Sequence, residues 1–280
     1  MKELDQGTIV YGCRSTQYPD LRCYGIIITA RCDIANDKVA KLYYLIGVDA
    51  NEWISSKLAY RQAYEQNYAS KIKEFEDKVK NMTKGKDALN AETLLKMSDE
   101  TAVCVLDSLS IAKQTDRDLL MESFRILRVY QKAHKSDCSA DRRALIKELP
   151  KPAIAYLQKI GSGKLVHFYY LPQAAYLKNS EMKKGLIVDF QEIESIPMED
   201  AVQIVTPGID YRLLADYSSN QEERYRQKFW LEHEGDFVAV EGAIQPTWLE
   251  HFMQRFSHAF TRIGIDGPVG HDFEVLIENL

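Results

Sequence analysis

The sequence predicts an α+β protein with a small, strongly curved antiparallel sheet, a large helical insertion and a closing carboxyl-terminal helix. Short β-rich runs lie in residues 1–50 and again in 164–245, whereas residues 51–163 switch to helical periodicity. Residues 246–280 begin with an apolar face at helical spacing. We therefore predict a β core from the first two segments, a helical insertion between them and a closing helix with its tail at the end.

Residues 7–50 predict a meander of three strands. The predicted strands are 7–13, 24–32 and 42–48, each rich in β-branched and aromatic residues. The segments between them carry the Pro, Asp and Asn residues that are typical of turns. Further strands are predicted over 165–171, 185–193 and 237–244.

Helices are predicted through the middle of the chain and at its end. One long amphipathic helix is indicated by apolar residues spaced three and four apart, namely Tyr60, Tyr64, Tyr68, Ile72, Phe75 and Val79. Two more helical patterns run over 116–134 and 139–149. In the closing helix Pro246 can occupy the first turn, and the apolar face consists of Trp248, Leu249, Phe252, Met253, Phe256, Phe260 and Ile263.

Composition limits the possible functions and locations. The formal charge of -5 and the pI near 5.8 disfavour binding of nucleic acid by bulk charge, although a local basic face remains compatible with them. The start Met-Lys-Glu-Leu-Asp-Gln has no apolar signal, and no run approaches the ~18 apolar residues of a membrane span. We therefore predict a cytoplasmic protein without membrane association.

The five cysteines form no C-x-x-C pair, which predicts reduced thiols rather than a disulfide framework or a zinc site. The sequence contains neither H-E-x-x-H nor G-x-S-x-G. We therefore predict no metal and no cofactor.

The candidate catalytic residues are Arg22, Arg31, Cys32 and Asp33. Cys32 and Asp33 follow a predicted buried strand, a position from which side chains can project into a cleft. Arg22 precedes the same strand and can meet a phosphate in that cleft. The alternative is structural: Cys32 fills the core, Asp33 bonds to the backbone of its own turn, and Arg22 is a solvated loop charge.

A second set of candidates is predicted to bind a ligand. His251, Arg255, His258 and Arg262 fall at i, i+4, i+7 and i+11, which places them on one stripe of the closing helix. Such a stripe can hold phosphates or a partner, and its alternative is a solvated polar face. His167 alternates into a strand of aromatic residues and is predicted to lie in the core or in a cleft.

The amino-terminal strands resemble the MazF/PemK-type toxins. The resemblance rests on a Gly-x-Ile-Val strand, a turn, an Arg before a hydrophobic strand, a second turn and a third strand. It implies an SH3-like barrel and metal-independent cleavage of RNA by an Arg, matched by Arg22, together with a Thr or Ser after the third strand. That strand ends here as Gly47-Val48-Asp49.

A second resemblance rests on the strand-and-turn motif Thr29-Ala-Arg-Cys-Asp-Ile34 and a closing helix over 248–265. These features are similar to those of uncharacterised bacterial proteins from mobile or phage-defence gene neighbourhoods. This resemblance implies a component of a defence system and attaches no activity to the motif.

Three functions are compatible with these observations. We expect an interaction or sensor subunit of a bacterial stress or phage-defence system without a catalytic centre, which binds another protein or a second copy through the helical block. The first alternative is a metal-independent endoribonuclease toxin. The second is a module that binds a nucleotide or a nucleic-acid end through the His/Arg stripe. Whether the chain is an enzyme stays open at this point.

Overall fold

The computed structural model of the chain describes residues 4–36, 38–135, 138–177, 182, 184–205 and 208–261. The chain divides into two compact units. The first consists of Met1–Trp53 and Gln158–His271, and the second of Ile54–Leu157 and Asp272–Leu280.

The described strands form one seven-stranded antiparallel sheet in the first unit. They are β1 (Thr8–Cys13), β2 (Cys23–Ile27), β3 (Lys41–Asp49), β4 (Phe168–Leu171), β5 (Leu186–Pro197), β6 (Ile209–Asp210) and β7 (Phe237–Ala243). Their order across the sheet is β4-β5-β3-β2-β1-β7-β6. The predicted α+β class is therefore confirmed. The sheet is not closed within the described residues, so the SH3-like barrel is not confirmed.

Twelve α-helices accompany this sheet in the part of the chain that the structure describes. They are α1 (Arg31–Ala35), α2 (Ala50–Ile54), α3 (Lys57–Tyr60), α4 (Gln66–Met82), α5 (Ala91–Lys96), α6 (Asp99–Asp107), α7 (Gln114–Lys135), α8 (Ser139–Glu148), α9 (Lys151–Gly161), α10 (Met198–Val205), α11 (Ser219–Lys228) and α12 (Pro246–Thr261). Among the described helices, none combines the length and the apolar character needed to cross a membrane.

The main core of the first unit lies between the sheet and α12. Phe252 is fully buried there, and its ring meets that of Phe190 on β5 edge-on at 5.6 Å. Phe256 meets the same ring of Phe190 at 5.5 Å. Burying one such aromatic side chain contributes about 2–3 kcal/mol. The aromatic face that predicts this helix is thus the face that packs on the sheet.

The register between β3 and β5 is interrupted. Leu45 pairs with Ile193, but the next residue, Ile46, pairs with Asp189. Phe190 to Glu192 therefore have no partner on β3 and form a β-bulge of three residues, and such irregularities re-aim side chains. Phe190 lies in the core, and the bulge carries Glu192 and directly follows Asp189.

The segment after β2 differs from the prediction. The strand was expected to reach Cys32, but β2 ends at Ile27 and α1 follows. The backbone N–H groups of Asp33 and Ile34 both donate to the carbonyl of Ala30, which closes a helical turn. Asp33 also lies in the first turn of α1, where a carboxylate is favourable. Local hydrogen bonding therefore ends the strand early.

The second unit is helical. The single long helix expected from the tyrosine spacing is instead α3, a π-helical turn over Arg61–Glu65, and α4. The rings of Tyr60 and Tyr64 stack at 4.9 Å across this turn. Phe75 on α4 meets Phe124 on α7 at 5.9 Å within the core of this unit.

Candidate functional site

The most unusual charged group of the first unit is Arg255 on α12. It is only 9% exposed, and within the described residues no side chain or carbonyl gives it a hydrogen bond or an ion pair. Burying a charge without a partner is costly, so buried arginines are normally paired. Arg255 therefore has unused binding capacity.

Gly163 lies directly against this guanidinium. A Cβ built on Gly163 would be 2.0 Å from Nη2 and 2.6 Å from both Cζ and Nη1 of Arg255. Only a residue without a side chain can make this approach. The contact places the turn after α9 over the end of the Arg255 side chain.

The turn is held in place by the end of α9. The N–H of Lys164 donates to the carbonyl of Lys159 at 2.9 Å, and that of Gly163 to Ile160 at 2.9 Å, which together make a Schellman cap. Gly163 takes the left-handed position with a φ of +72°. The helix end supplies only about half a negative charge, so it neutralises the guanidinium in part.

Tyr169 and His251 lie on the same side of α12 as Arg255. The hydroxyl of Tyr169 on β4 is 2.8 Å from Nδ1 of His251, which is one helical turn before Arg255. Burial raises the pKa of Tyr169, while the charge of Arg255 acts in the opposite direction. The phenol therefore stays protonated, and whether the hydroxyl or Nδ1 donates in their shared hydrogen bond depends on the tautomer of His251.

The sequence around this arginine is locally basic. Residues 158–171 and 246–261 contain a single acid, Glu250. Against it stand the basic and imidazole side chains of Lys159, Lys164, His167, His251, Arg255 and His258. The whole chain has a net charge of -5, so the charge of these two segments is opposite in sign to that of the chain. We therefore expect the segments to attract an anion.

The predicted His/Arg stripe is therefore more buried than a solvated polar face would be. Arg255 is buried and His251 and His258 are half-buried, so the solvated-face interpretation is wrong for Arg255. The helical spacing predicts the stripe, but it could not show that the turn at Gly163 lies against Arg255. Arg262 lies outside the described residues.

The candidate arginines near the amino terminus have separate acidic partners. Arg22 forms an ion pair with Asp236 at 2.5 Å, and its side chain is 42% exposed. Arg31 pairs with Asp5 at 2.8 Å and is 66% exposed. These contacts do not bring the two arginines to a common carboxylate.

In the ion pair with Arg22, Asp236 is the residue that the backbone holds in place. It is 3% exposed and accepts hydrogen bonds from the backbone N–H groups of Glu232 and His233 at 2.9 and 2.8 Å. Burial alone would raise the pKa of Asp236, but these hydrogen bonds and the charge of Arg22 outweigh it and lower the pKa. Arg22 thus helps to fix the loop before β7.

Cys32 and Asp33 lie on α1. Cys32 is exposed, so the expectation that it fills the core is wrong; the strand that would have buried it ends at Ile27. Its Sγ is 3.5 Å from Oδ1 of Asp33. Asp33 also accepts the N–H of Lys38 at its backbone carbonyl at 3.0 Å.

His167 is exposed, and its charge interacts with Asp189 on the neighbouring strand β5. It precedes β4, rather than lying within a strand as the alternation predicted.

The contacts of Arg22, Asp33 and His167 are thus with three different carboxylates or backbone groups. No described contact brings these three residues together.

Sequence reasoning missed a buried polar cluster on the bulge of β5. The hydroxyl of Tyr18 donates to Asp189 at 3.2 Å and accepts from Nε1 of Trp53 at 3.1 Å. Ser15 donates to Glu192 at 2.8 Å. Both carboxylates are buried, so these bonds fix the segment after β1 to the bulge. The sign of this cluster in the sequence is the occurrence of Asp189 and Glu192 within a β-rich run.

Asp189 is also bound by the backbone N–H of Gln191 at 2.9 Å. Burial raises the pKa of Asp189 and the nearby Glu192 adds to the rise, whereas the hydrogen bonds and His167 oppose it. The two carboxyl groups already have internal partners. It is a tie within the fold rather than an open binding site.

No group of three or more metal-binding side chains occurs among the residues that the structure describes. Comparison with known proteins gives no match to a family model, to a curated protein or to a solved structure. The site therefore has to be interpreted from its own geometry.

Proposed function

We propose that the chain binds a phosphate-bearing ligand of the nucleotide or nucleic-acid-end class at Arg255. The observation that carries the proposal is an arginine that is 9% exposed as a whole residue and has no hydrogen-bond or ion-pair partner among the described residues. Most of the Arg255 residue is out of contact with water, so an opposite charge beside it is favourable. A bound anion supplies that charge.

Phosphate fits this environment better than a carboxylate. The planar guanidinium can donate two parallel hydrogen bonds to phosphate oxygens. Lys159 in the last turn of α9 and Lys164 on the turn after it add positive charge, and Tyr169 adds a neutral hydroxyl. A phosphate monoester carries about −1.5 to −2 charges at neutral pH, and so it benefits more from several positive groups than a singly charged carboxylate does.

The endoribonuclease alternative has weaker support. Its key residue, Arg22, is already paired with Asp236, and Arg31 is paired with Asp5. Cys32 and Asp33 lie on a short exposed helix and share no described contact with Arg22. The proposal therefore assigns ligand binding to Arg255 and leaves the amino-terminal arginines in structural roles.

A partner protein or a second copy of the chain is the second candidate. Tyr43 is 48% exposed and Ile193 43% exposed, and the register of β3 with β5 puts both on one face of the sheet. Light scattering after size-exclusion chromatography tests self-association. A dimer that Tyr43→Lys converts to a monomer favours this candidate, and a monomeric wild-type chain that captures no partner counts against it.

The phosphate proposal is tested by titration calorimetry with inorganic phosphate and pyrophosphate. Arg255→Gln should weaken binding by about tenfold or more, because a charge-assisted hydrogen bond contributes about 1.5–3 kcal/mol. Arg31→Gln removes the same charge from an exposed position and is the matched control.

Circular dichroism and thermal unfolding must first show that both variants fold. Arg255→Lys is a second variant that keeps the charge but loses the planar donors. Absence of millimolar binding in the wild-type chain, or equal affinity in the Arg255→Gln and wild-type chains, would contradict the proposal.

A further inference from the structure

We infer, on the basis of the proposed function of the Arg255 site, that its ligand is a terminal phosphate monoester and that Tyr169 acts as a second donor to it. The ligand class is thus the phosphorylated end of a nucleotide or of a nucleic-acid strand, as distinct from the phosphodiester backbone. Burial, donor geometry and charge each lead to this assignment.

Access to the arginine limits the shape of the ligand. Arg255 is 9% exposed, and Gly163 covers part of its guanidinium so closely that an added methyl would lie 2.0 Å from Nη2. An internal phosphodiester carries a sugar on both sides, and both sugars would have to approach this covered group. A terminal phosphate projects beyond its single ester substituent and can reach a recessed donor.

Donors beside the arginine favour a group with three free oxygens. The hydroxyl of Tyr169 and Nδ1 of His251 share a hydrogen bond at 2.8 Å. Where Nδ1 of His251 carries a hydrogen, it donates to the hydroxyl, and the phenolic hydrogen is then available to a ligand; where Nδ1 carries none, it accepts the phenolic hydrogen. A monoester can occupy both the guanidinium and this hydroxyl, because it has one more free oxygen than a diester.

The positive charges near Arg255 also favour a phosphate monoester. Lys159 in the last turn of α9 and Lys164 on the covering turn are both exposed, and they add two positive charges to that of Arg255. A doubly charged monoester is attracted by these groups more strongly than a singly charged diester is.

The test compares two oligonucleotides of the same sequence, one with a 5′-phosphate and one with a 5′-hydroxyl, by fluorescence anisotropy of a 3′ label. The wild-type chain should bind the phosphorylated end about tenfold or more tightly. Unlabelled AMP is added as a competitor. Competition assigns the terminal phosphate of a free nucleotide as a ligand, and its absence with retained end preference assigns a strand end.

Tyr169→Phe removes the hydroxyl while keeping the ring in the core, and it should reduce the preference for the phosphorylated end. Tyr43→Phe removes an exposed hydroxyl on another part of the sheet and should leave the preference unchanged. Equal binding of the two oligonucleotides overturns this inference, even if inorganic phosphate still binds through Arg255. Loss of phosphate binding altogether instead overturns the proposed function.

Discussion

The guanidinium of Arg255 lies against Gly163, at a distance that leaves no room for a side chain on the glycine. Two requirements meet at this position. The Schellman cap of α9 needs a residue with a φ of +72°, and the arginine needs a backbone that it can approach closely. The contact couples the geometry of a helix end to the exposure of a charged group.

Gly163→Ala should lower both the free energy of unfolding and the affinity for phosphate. The loss of affinity should be larger than the destabilisation alone would cause. The left-handed backbone costs a non-glycine residue about 1–2 kcal/mol. The new methyl also meets the flexible end of Arg255, which can swing away and leave the proposed position. Chemical denaturation and phosphate titration on the same variant measure the two effects.

The matched control for this variant is Gly235→Ala. Gly235 has a φ of +96°, and a Cβ there would meet nothing within 4 Å. Both variants should therefore lose a similar free energy of unfolding, and only Gly163→Ala should lose affinity. Equal affinities in the two variants would show that the contact with Arg255 has no part in binding.

Stability should respond to pH through Asp189. Burial, with a smaller contribution from Glu192, raises the pKa of Asp189 in the folded chain. The folded state therefore holds this proton more tightly than the unfolded chain, whose aspartates titrate near a pKa of about 3.9. The contribution is complete below the unfolded pKa and is lost as pH rises through the folded pKa.

Asparagine has no titrating proton, so Asp189→Asn should not show this loss of stability as pH rises. Urea denaturation at a series of pH values should show the wild-type chain losing stability relative to Asp189→Asn as pH rises above about 4. A difference that is constant with pH would mean that Asp189 titrates alike in the folded and unfolded states.

Asp236 should show the opposite dependence. Burial opposes its ionisation, but the hydrogen bonds from His233 and Glu232 and the charge of Arg22 keep the pKa of Asp236 low. Its contribution is therefore present above the unfolded pKa and is lost as pH falls through the folded pKa. Asp236→Asn should cost about 2 kcal/mol near neutral pH, and less in acid.

The same urea series measures this variant. Asp210→Asn is a useful comparison, because Asp210 also has a lowered pKa but lies at the end of β6 in an ion pair with the exposed Arg212. If Asp236→Asn and Asp210→Asn have equally small effects, the ion pair of Arg22 does not anchor the loop before β7.

Thiol reactivity should separate the five cysteines into two classes. Cys13 and Cys23 are 1% and 0% exposed, and burial raises the pKa of Cys23 to about 12 and that of Cys13 well above its usual range. Cys32, Cys104 and Cys138 are exposed. A thiol-specific chromogenic reagent should therefore modify three cysteines in the native chain and five after unfolding. Modification of all five at one rate in the native chain would contradict the burial of the β1–β2 pair.

Helical periodicity was a reliable guide to α12. Phe252 and Phe256 recur at the spacing that places both on one face, and that face packs against Phe190. The strands β1 and β3 follow equally directly from β-branched and aromatic runs. These features could be predicted because each depends on the residues of a single segment.

The candidate site depends on segments that are distant in the chain. Arg255 lies on the predicted polar stripe, and its burial arises from the turn at Gly163, whose position no local pattern encodes. The same reason applies to Tyr18 and Asp189, which are distant in the chain and meet through a side-chain hydrogen bond. Tertiary contacts therefore decide which of several plausible polar residues has an unusual environment.

The most direct test of the central claim is a nitrogen-15 spectrum of the arginine Nε–H groups during titration with inorganic phosphate. The Arg255 resonance is assigned by its absence in Arg255→Lys. Our account predicts that this resonance shifts in a saturable manner while that of Arg31 stays in place. Saturable phosphate binding with an unmoved Arg255 resonance, or no binding at all, would contradict it.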